Sequence, residues 1–258
     1  MEILEREFSM DVRTYRKIHR WLGLVVGIQL LLWTVSGLFF SLNPIAKVRG
    51  ETEEPESPSL EFTAPASPAP ALSELLLDHP RAEIQTVLLR RHLDGAVYEI
   101  TYLEDGVPHW ALADGSTGLL RATVDQEEAE AIARSAYSPD SPTEDITLIT
   151  ETTPGSEYRE RPVPAFRVTF DDSFGTRLYV SIDRGVITAR RNDRWRLFDF
   201  LWMLHIMDYR TRDNFNSSLL QAVSTLGLVT VLSGFILAGV NSPRLRRLVG
   251  SKPPTNIE

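Results

Sequence analysis

Two long stretches without a formal charge limit what this chain can fold into. Residues 21–42, "WLGLVVGIQLLLWTVSGLFFSL", form the first, and residues 217–240, "SSLLQAVSTLGLVTVLSGFILAGV", the second. As helices, at about 1.5 Å per residue, they reach roughly 33 and 36 Å, enough to cross a hydrocarbon core of about 30 Å. An uncharged length above about 18 residues favours a membrane span over a buried helix of a soluble protein. The charged start of the chain fits a secretory signal, but the apolar run is too long for a typical signal core and no clear A-x-A site follows directly at its end. A retained anchor is the better reading.

The flanking charges orient the spans. Arg13, Arg16, Lys17 and Arg20 precede the first, and Arg244, Arg246, Arg247 and Lys252 follow the second. Short basic flanks stay on the cytoplasmic side, so both termini are expected there, with residues 43–216 outside. That middle segment holds 18 Lys+Arg against 30 Asp+Glu, so it supplies the whole negative balance of a chain with net charge −8. An acidic external domain gives no reason to expect nucleic acid as a partner. With no cysteine, disulfides and thiolate metal sites are excluded.

Composition divides the rest. Residues 1–20 read as a cytoplasmic lead-in, helical from about Val12. Asn43-Pro44 ends the first span, because proline disfavours helix in the residue before it. Residues 43–70 form a tether rich in Pro, Ser, Ala and Glu. In residues 71–193 a weak repeat appears, with "YEITY" at 98–102 opposite "FRVTF" at 166–170. Both alternate apolar and polar, the period of a half-buried strand, and both run into a second strand that ends in an Asp/Gly turn. A helical pattern precedes each, at 71–80 and 125–137, the latter with Asp125 as N-cap and Glu128 three residues on. Two helix-plus-hairpin units, each too small to bury its own face, predict one stacked α+β domain. Residues 194–209, "RWRLFDFLWMLHIMDY", are short for a span and carry Trp195, Trp202 and Tyr209; they read as an interfacial helix or as a kinked extension of the second span. Residues 241–258 are a basic cytoplasmic tail.

Little chemistry is visible outside the histidines. No glycine-rich loop follows a strand. Ser36-Gly37 and Ser233-Gly234 lie inside the spans and read as packing positions. The acidic pairs Asp171-Asp172 and Glu127-Glu128 read as solvated surface. His79, His92 and His109 lack metal-ligand spacing and read as surface histidines. His19 and His205 differ because they sit at membrane edges, where an ionisable group is either an interface anchor or a functional residue. Small-residue pairs, Gly23-x-x-x-Gly27 and Gly234-x-x-x-Ala238, allow close helix packing, either between the two spans of one chain or between chains.

The order of motifs resembles one family. A basic "KIHRWLGL" start, a first span ending "SGLFFSLNPI", "DGSTG" and "DRG" turns, an "LH" helix and a closing small-residue span are similar to the PepSY-associated transmembrane family of bacterial inner-membrane proteins. The resemblance implies a periplasmic domain of PepSY-like repeats, here flanked by the two transmembrane helices read from the sequence, and this chain departs from the family pattern in having only two spans. Larger members have about four spans, and some are haem-bearing reductases linked to iron uptake. By that resemblance His19 and His205 become haem b ligands, and the chain an accessory or haem-bearing subunit in iron-linked transmembrane electron transfer. The two lie near opposite membrane faces, about 30 Å apart, so one chain cannot bring both to one iron. A homodimer or larger membrane complex in the lipid bilayer would supply the second imidazole at each level and restore four helices. The alternative is a membrane-anchored periplasmic module that docks or restrains a partner protein, with no redox role.

Overall fold

A computed structural model describes residues 12–50, 65–93, 95–137 and 141–241. Residues 1–11 of the lead-in, residues 51–64 of the Pro/Ser-rich tether and nearly all of the basic tail fall outside the described residues. The lead-in and first apolar run form a single helix, α1 (Val12–Leu42). Pro44 then caps a short turn, α2 (Ile45–Val48). The second apolar run forms α6 (Ser218–Asn241). Both are long and apolar enough to cross a membrane. Large apolar side chains such as Leu24, Val25, Ile28 and Leu31 on α1, and Leu228, Phe235 and Ile236 on α6, are exposed rather than folded into a core. A helix apolar nearly all round needs lipid on the sides that protein does not cover.

The chain divides into two compact units, one comprising α1 and the segment from Phe200 onward, the other Asn43–Asp199. The second unit holds two four-stranded antiparallel sheets. Helix α3 (Ala69–Asp78) precedes β1 (Glu83–His92), β2 (Gly95–Glu104), β3 (Val107–Asp114) and β4 (Leu120–Arg121), hydrogen-bonded in that order. Helix α4 (Gln126–Ala136) precedes β5 (Thr143–Ile149), β6 (Ala165–Phe170), β7 (Arg177–Ser181) and β8 (Ile187–Arg191), also in order. The Asp125 carboxylate caps α4 by accepting the Glu128 N–H at 2.9 Å.

The repeated pentapeptides occupy β2 and β6, the second strand of each sheet, and their central residues Ile100 and Val168 are fully buried. Each expected hairpin carries one more strand on either side. Those flanking strands escape a pattern search because their alternation is broken. In β1, "EIQTVLLRRH", Leu88-Leu89 and Arg90-Arg91 interrupt period two, and β4 is two residues long.

Strand alternation sends β2 side chains to two different cores. Tyr98, Ile100 and Tyr102 pack with Ala71 and Leu75 of α3. On the other face, Val97 of β2 and Leu112 of β3 join Ala129, Ile132 and Ala133 of α4 and Val168, Phe170, Leu178 and Val180 of the second sheet. Helix α4 thus closes the face of the first sheet that α3 leaves open.

Helix α5 (Asp193–Ile206) begins in the outer unit and ends in the membrane unit. Its first turns are clamped to the second sheet and its β5–β6 loop: Arg196 reaches Glu157 of the loop at 2.6 Å, Asp199 reaches Arg159 of the loop at 2.7 Å, and Trp195 lies under the Arg191 guanidinium of β8. These contacts carry the outer unit past residue 193, the boundary expected from composition. The helix is not an extension of α6. It stops where Met207 turns to φ 54°, and Asp208 gathers backbone N–H groups from Arg210, Thr211, Asp213 and Asn214 at 3.0–3.2 Å.

Candidate functional site: two imidazoles in the membrane unit

His19 lies on α1 beside α6. Its Nδ1 stands 2.6 Å from the Ser233 hydroxyl. The ring rests where Gly234 has no side chain; a Cβ there would lie 3.3 Å from His19 Cε1. Ser233 donates its single hydroxyl proton to the Thr230 carbonyl at 2.8 Å. Its oxygen therefore accepts from His19, which places an imidazole proton on Nδ1 and leaves Nε2 outside that bond.

His205, on the last turn of α5, repeats the arrangement with a different helix. Its Nδ1 lies 2.7 Å from the hydroxyl of Ser36 on α1, and that hydroxyl donates to the Leu32 carbonyl at 2.7 Å. The same logic places a proton on Nδ1 and leaves Nε2 outside that bond. Aromatic rings enclose the imidazole: Phe40 edge-on at 5.5 Å, Trp202 stacked at 6.4 Å and Trp33 tilted at 6.4 Å. Carbonyls at a helix C-terminus lack partners within the helix. Trp33 Nε1 takes the His205 carbonyl at 2.7 Å, and Gln29 Nε2 reaches that of Leu204 at 3.5 Å. Helix α1 thereby holds the end of α5 by its backbone as well as by its imidazole.

Both expected histidines are thus half-buried and hydrogen-bonded to uncharged hydroxyls. The structure does not bring them together. Ser36 follows His19 by 17 positions on one continuous helix, about 26 Å at 1.5 Å per residue. The two serines, read from sequence as packing positions, are the partners that hold the two Nδ1 atoms. A lone hydroxyl in an apolar run was their only sequence signal.

The small-residue pairs divide. Gly234 makes room for His19, and a Cβ at Gly227 would stand 3.8 Å from Val26, so both glycines face α1. Gly23 and Gly27 have nothing within 4 Å of where a Cβ would stand, and Ala238 is exposed. The close packing available to Gly23 and Gly27 is therefore not used within one chain.

The histidines of the segment between the two spans have other duties. His79 pairs with Glu104 at 3.0 Å, and His109 stacks on Tyr102. His92 is buried rather than a surface residue, because α4 closes over β1 there. Its Nε2 meets Glu128, which also takes Arg121. Burial pushes the His92 imidazole down, against the pull of Glu128. Burial by itself raises Glu128, but hydrogen bonds from Arg121 and His92 outweigh it and hold the carboxyl below its usual range. Nearby, Glu99 binds Arg90 at 3.2 Å and Arg184 at 2.7 Å. Among the described residues no three His, Cys, Asp or Glu side chains gather as a metal site.

Does this donor set suit haem? Each level of the membrane unit offers one imidazole whose Nδ1 is held by a serine, the hydrogen bond that orients an iron-ligating histidine, and whose Nε2 lies outside that bond. The residues fit one axial ligand per chain at each level.

Over residues 16–253 the chain matches the family model described as the PepSY-associated TM region. No curated protein and no solved structure matches it.

Proposed function

The chain belongs to the PepSY-associated transmembrane family, and from that premise we propose an inner-membrane subunit that holds haem b for iron-linked electron transfer. The observation that carries this reading is the pair of Nδ1–H···Ser hydrogen bonds, which leave Nε2 of His19 and of His205 outside those bonds at two depths. Bound haem would supply a one-electron iron couple, its potential set by axial imidazoles and burial. The chain's own residues do the rest. Ser233 and Ser36 orient the rings, Gly234 admits the first, and Phe40, Trp33 and Trp202 keep water from the second. A second copy supplies the partner imidazole at each level, and the open Gly23/Gly27 face of α1 supports its close approach. In this reading both termini are cytoplasmic, and the two sheet modules form a periplasmic PepSY-like domain.

The test is an absorption spectrum of detergent-purified protein, made with ample haem and recorded oxidised and dithionite-reduced. The wild type should show reducible haem. His19→Ala and His205→Ala should each remove one haem population, with the outer domain still folded. Ser36→Ala leaves the ligand but frees its ring, and should lower haem retention about 10–100-fold. A colourless, folded wild type rejects the haem reading. It favours a docking module instead, for which edge strand β1, with Val87 and Leu88 exposed, offers a place for a partner strand to add.

A further inference from the structure

The connection between β5 and β6, residues 150–164, is long for a link between neighbouring antiparallel strands and has no helix or strand of its own. Loops of that kind in a compact domain are usually functional. This one covers the face of the second sheet that points away from the α4 core, and two side chains pin it there. Tyr158 stacks on Tyr179 of β7 with ring centroids 4.5 Å apart, and its hydroxyl donates to the Pro162 carbonyl at 2.8 Å. Glu157 takes Arg177 of β7 at 3.1 Å and Arg196 of α5 at 2.6 Å.

Under the loop lies a cavity of about 270 Å³, walled by Ile149 at the end of β5, Ser156 of the loop, Arg167 of β6 and Arg177 of β7. Three polar atoms of those walls, Ser156 Oγ, Arg167 Nε and Arg177 Nε, are buried and have no hydrogen-bond partner among the described residues. The outer nitrogens of the two guanidiniums are engaged. Arg167 Nη2 donates to Thr147 Oγ1 at 2.8 Å and to Asp145 at 3.3 Å, and Arg177 Nη1 donates to Glu157. These contacts fix where each fork stands and leave Nε–H as the unused donor. A buried polar atom without a partner is costly, so three around one volume mark a place for an acceptor-rich group. The carboxylates of Glu157 and Glu151 also border the cavity, and Glu151 is exposed.

We propose that this cavity binds a free α-amino acid. Two N–H donors and a hydroxyl match the lone pairs of one carboxylate. Two carboxylates on the same walls repel a dianion such as phosphate, but they suit a ligand that carries both signs, with its ammonium toward Glu151. Only a free amino acid brings both charges into one volume of this size. At roughly 30 Å³ per water the cavity holds about nine waters, close to the heavy-atom count of a mid-sized amino acid. Ile149 supplies an apolar wall for its side chain. The site lies wholly within the unit of the two sheets and is independent of whether the membrane histidines hold haem.

The test is isothermal titration calorimetry on the full chain in neutral detergent, with L-leucine and L-asparagine as zwitterions of the right size. Isoamylamine, which is leucine without its carboxylate, and isocaproate, which is leucine without its ammonium, are the controls. At least one amino acid should bind saturably, and each control should bind about tenfold or more weakly than the better amino acid. Ser156→Ala removes a hydroxyl that makes no hydrogen bond of its own, so it should not lower the melting temperature of the ligand-free protein, yet should weaken binding about tenfold or more. Arg167→Lys keeps the charge and loses the Nε donor, and should weaken binding likewise. No saturable heat with either amino acid, a control that binds as tightly, or full affinity in Ser156→Ala overturns the proposal; in the first case water alone meets the three atoms.

Discussion

His92 in the outer domain and His205 in the membrane unit are both held by one strong side-chain hydrogen bond, but from opposite ring nitrogens. His92 gives Nε2–H to the Glu128 carboxylate, inside a cluster that also contains Arg121 and, close by, Glu99, Arg90 and Arg184. His205 and His19 give Nδ1–H to serine hydroxyls that have already spent their own proton on a backbone carbonyl. The first arrangement closes the imidazole inside an ionic network that joins β1 and β4 to α4. The second ties the ring to an uncharged hydroxyl and leaves Nε2 outside that bond. One residue type thus serves cohesion in one unit and ligand chemistry in the other, and the neighbour at hydrogen-bond distance decides which.

The largest effect should come from breaking the ionic side. Glu99 is buried between Arg90 and Arg184, and removing one partner of a buried pair costs about 3–5 kcal/mol because the other charge is left behind. Glu99→Ala should therefore lower the denaturation midpoint of the outer domain steeply, as followed by denaturant titration with Trp fluorescence, while leaving the membrane helices assembled. A loss below about 1 kcal/mol would mean that solvent already screens the pair.

Glycine substitutions sharpen the neutral side. Gly234→Ala places a methyl group 3.3 Å from the His19 ring, and overpacking of this kind costs about 1–3 kcal/mol. It should displace His19 and disturb whatever that ring binds. Gly23→Ala meets open space and should change the stability of a single chain by less than about 0.5 kcal/mol. If a second copy packs there, the same variant should weaken self-association, read by crosslinking in detergent. Equal behaviour of the two variants would erase the distinction between a used and an unused glycine face.

The smallest effect is a pH dependence confined to the outer domain. His92 is a base held below its ordinary value, so the unfolded chain takes up its proton first. Its contribution is fully present above about pH 6.5 and is lost as pH falls through the folded value. Glu128 is an acid held low, so its contribution is present above about pH 4.5 and is lost at still lower pH. Melting curves should show stability declining in that order on acidification. His92→Asn should remove the earlier decline and leave the later one.

Much of this architecture is legible from residue pattern. The two uncharged runs, the basic flanks of α1, the Asp125 cap and the paired pentapeptides of β2 and β6 are local signals, each carried by residues a few positions apart. Strands β1, β4, β5 and β8 are harder to read, because short or interrupted alternation carries no face of its own until a neighbour supplies hydrogen bonds. His19 and His205 stand out because an imidazole near lipid is costly. Ser233 and Ser36 do not, since a hydroxyl inside a helix satisfies itself on the preceding turn and tells nothing of what lies across the gap.

The sequence by itself determined that this chain has two helices made for lipid, an acidic α+β domain between them, no thiol chemistry and two histidines at the membrane edges. Those features depend on composition and on periods of two and 3.6 residues, which the backbone imposes locally. Tertiary structure alone decided which nitrogen of His19 and of His205 is held by a serine, which glycines face a neighbour, that Glu128 and His92 are buried together, and that Ser156 of the loop before β6 and Arg177 of β7 share one cavity. Each of these is set by a contact between residues tens to hundreds of positions apart, and a hydrogen bond or a charge responds to distance in space, not to separation along the chain.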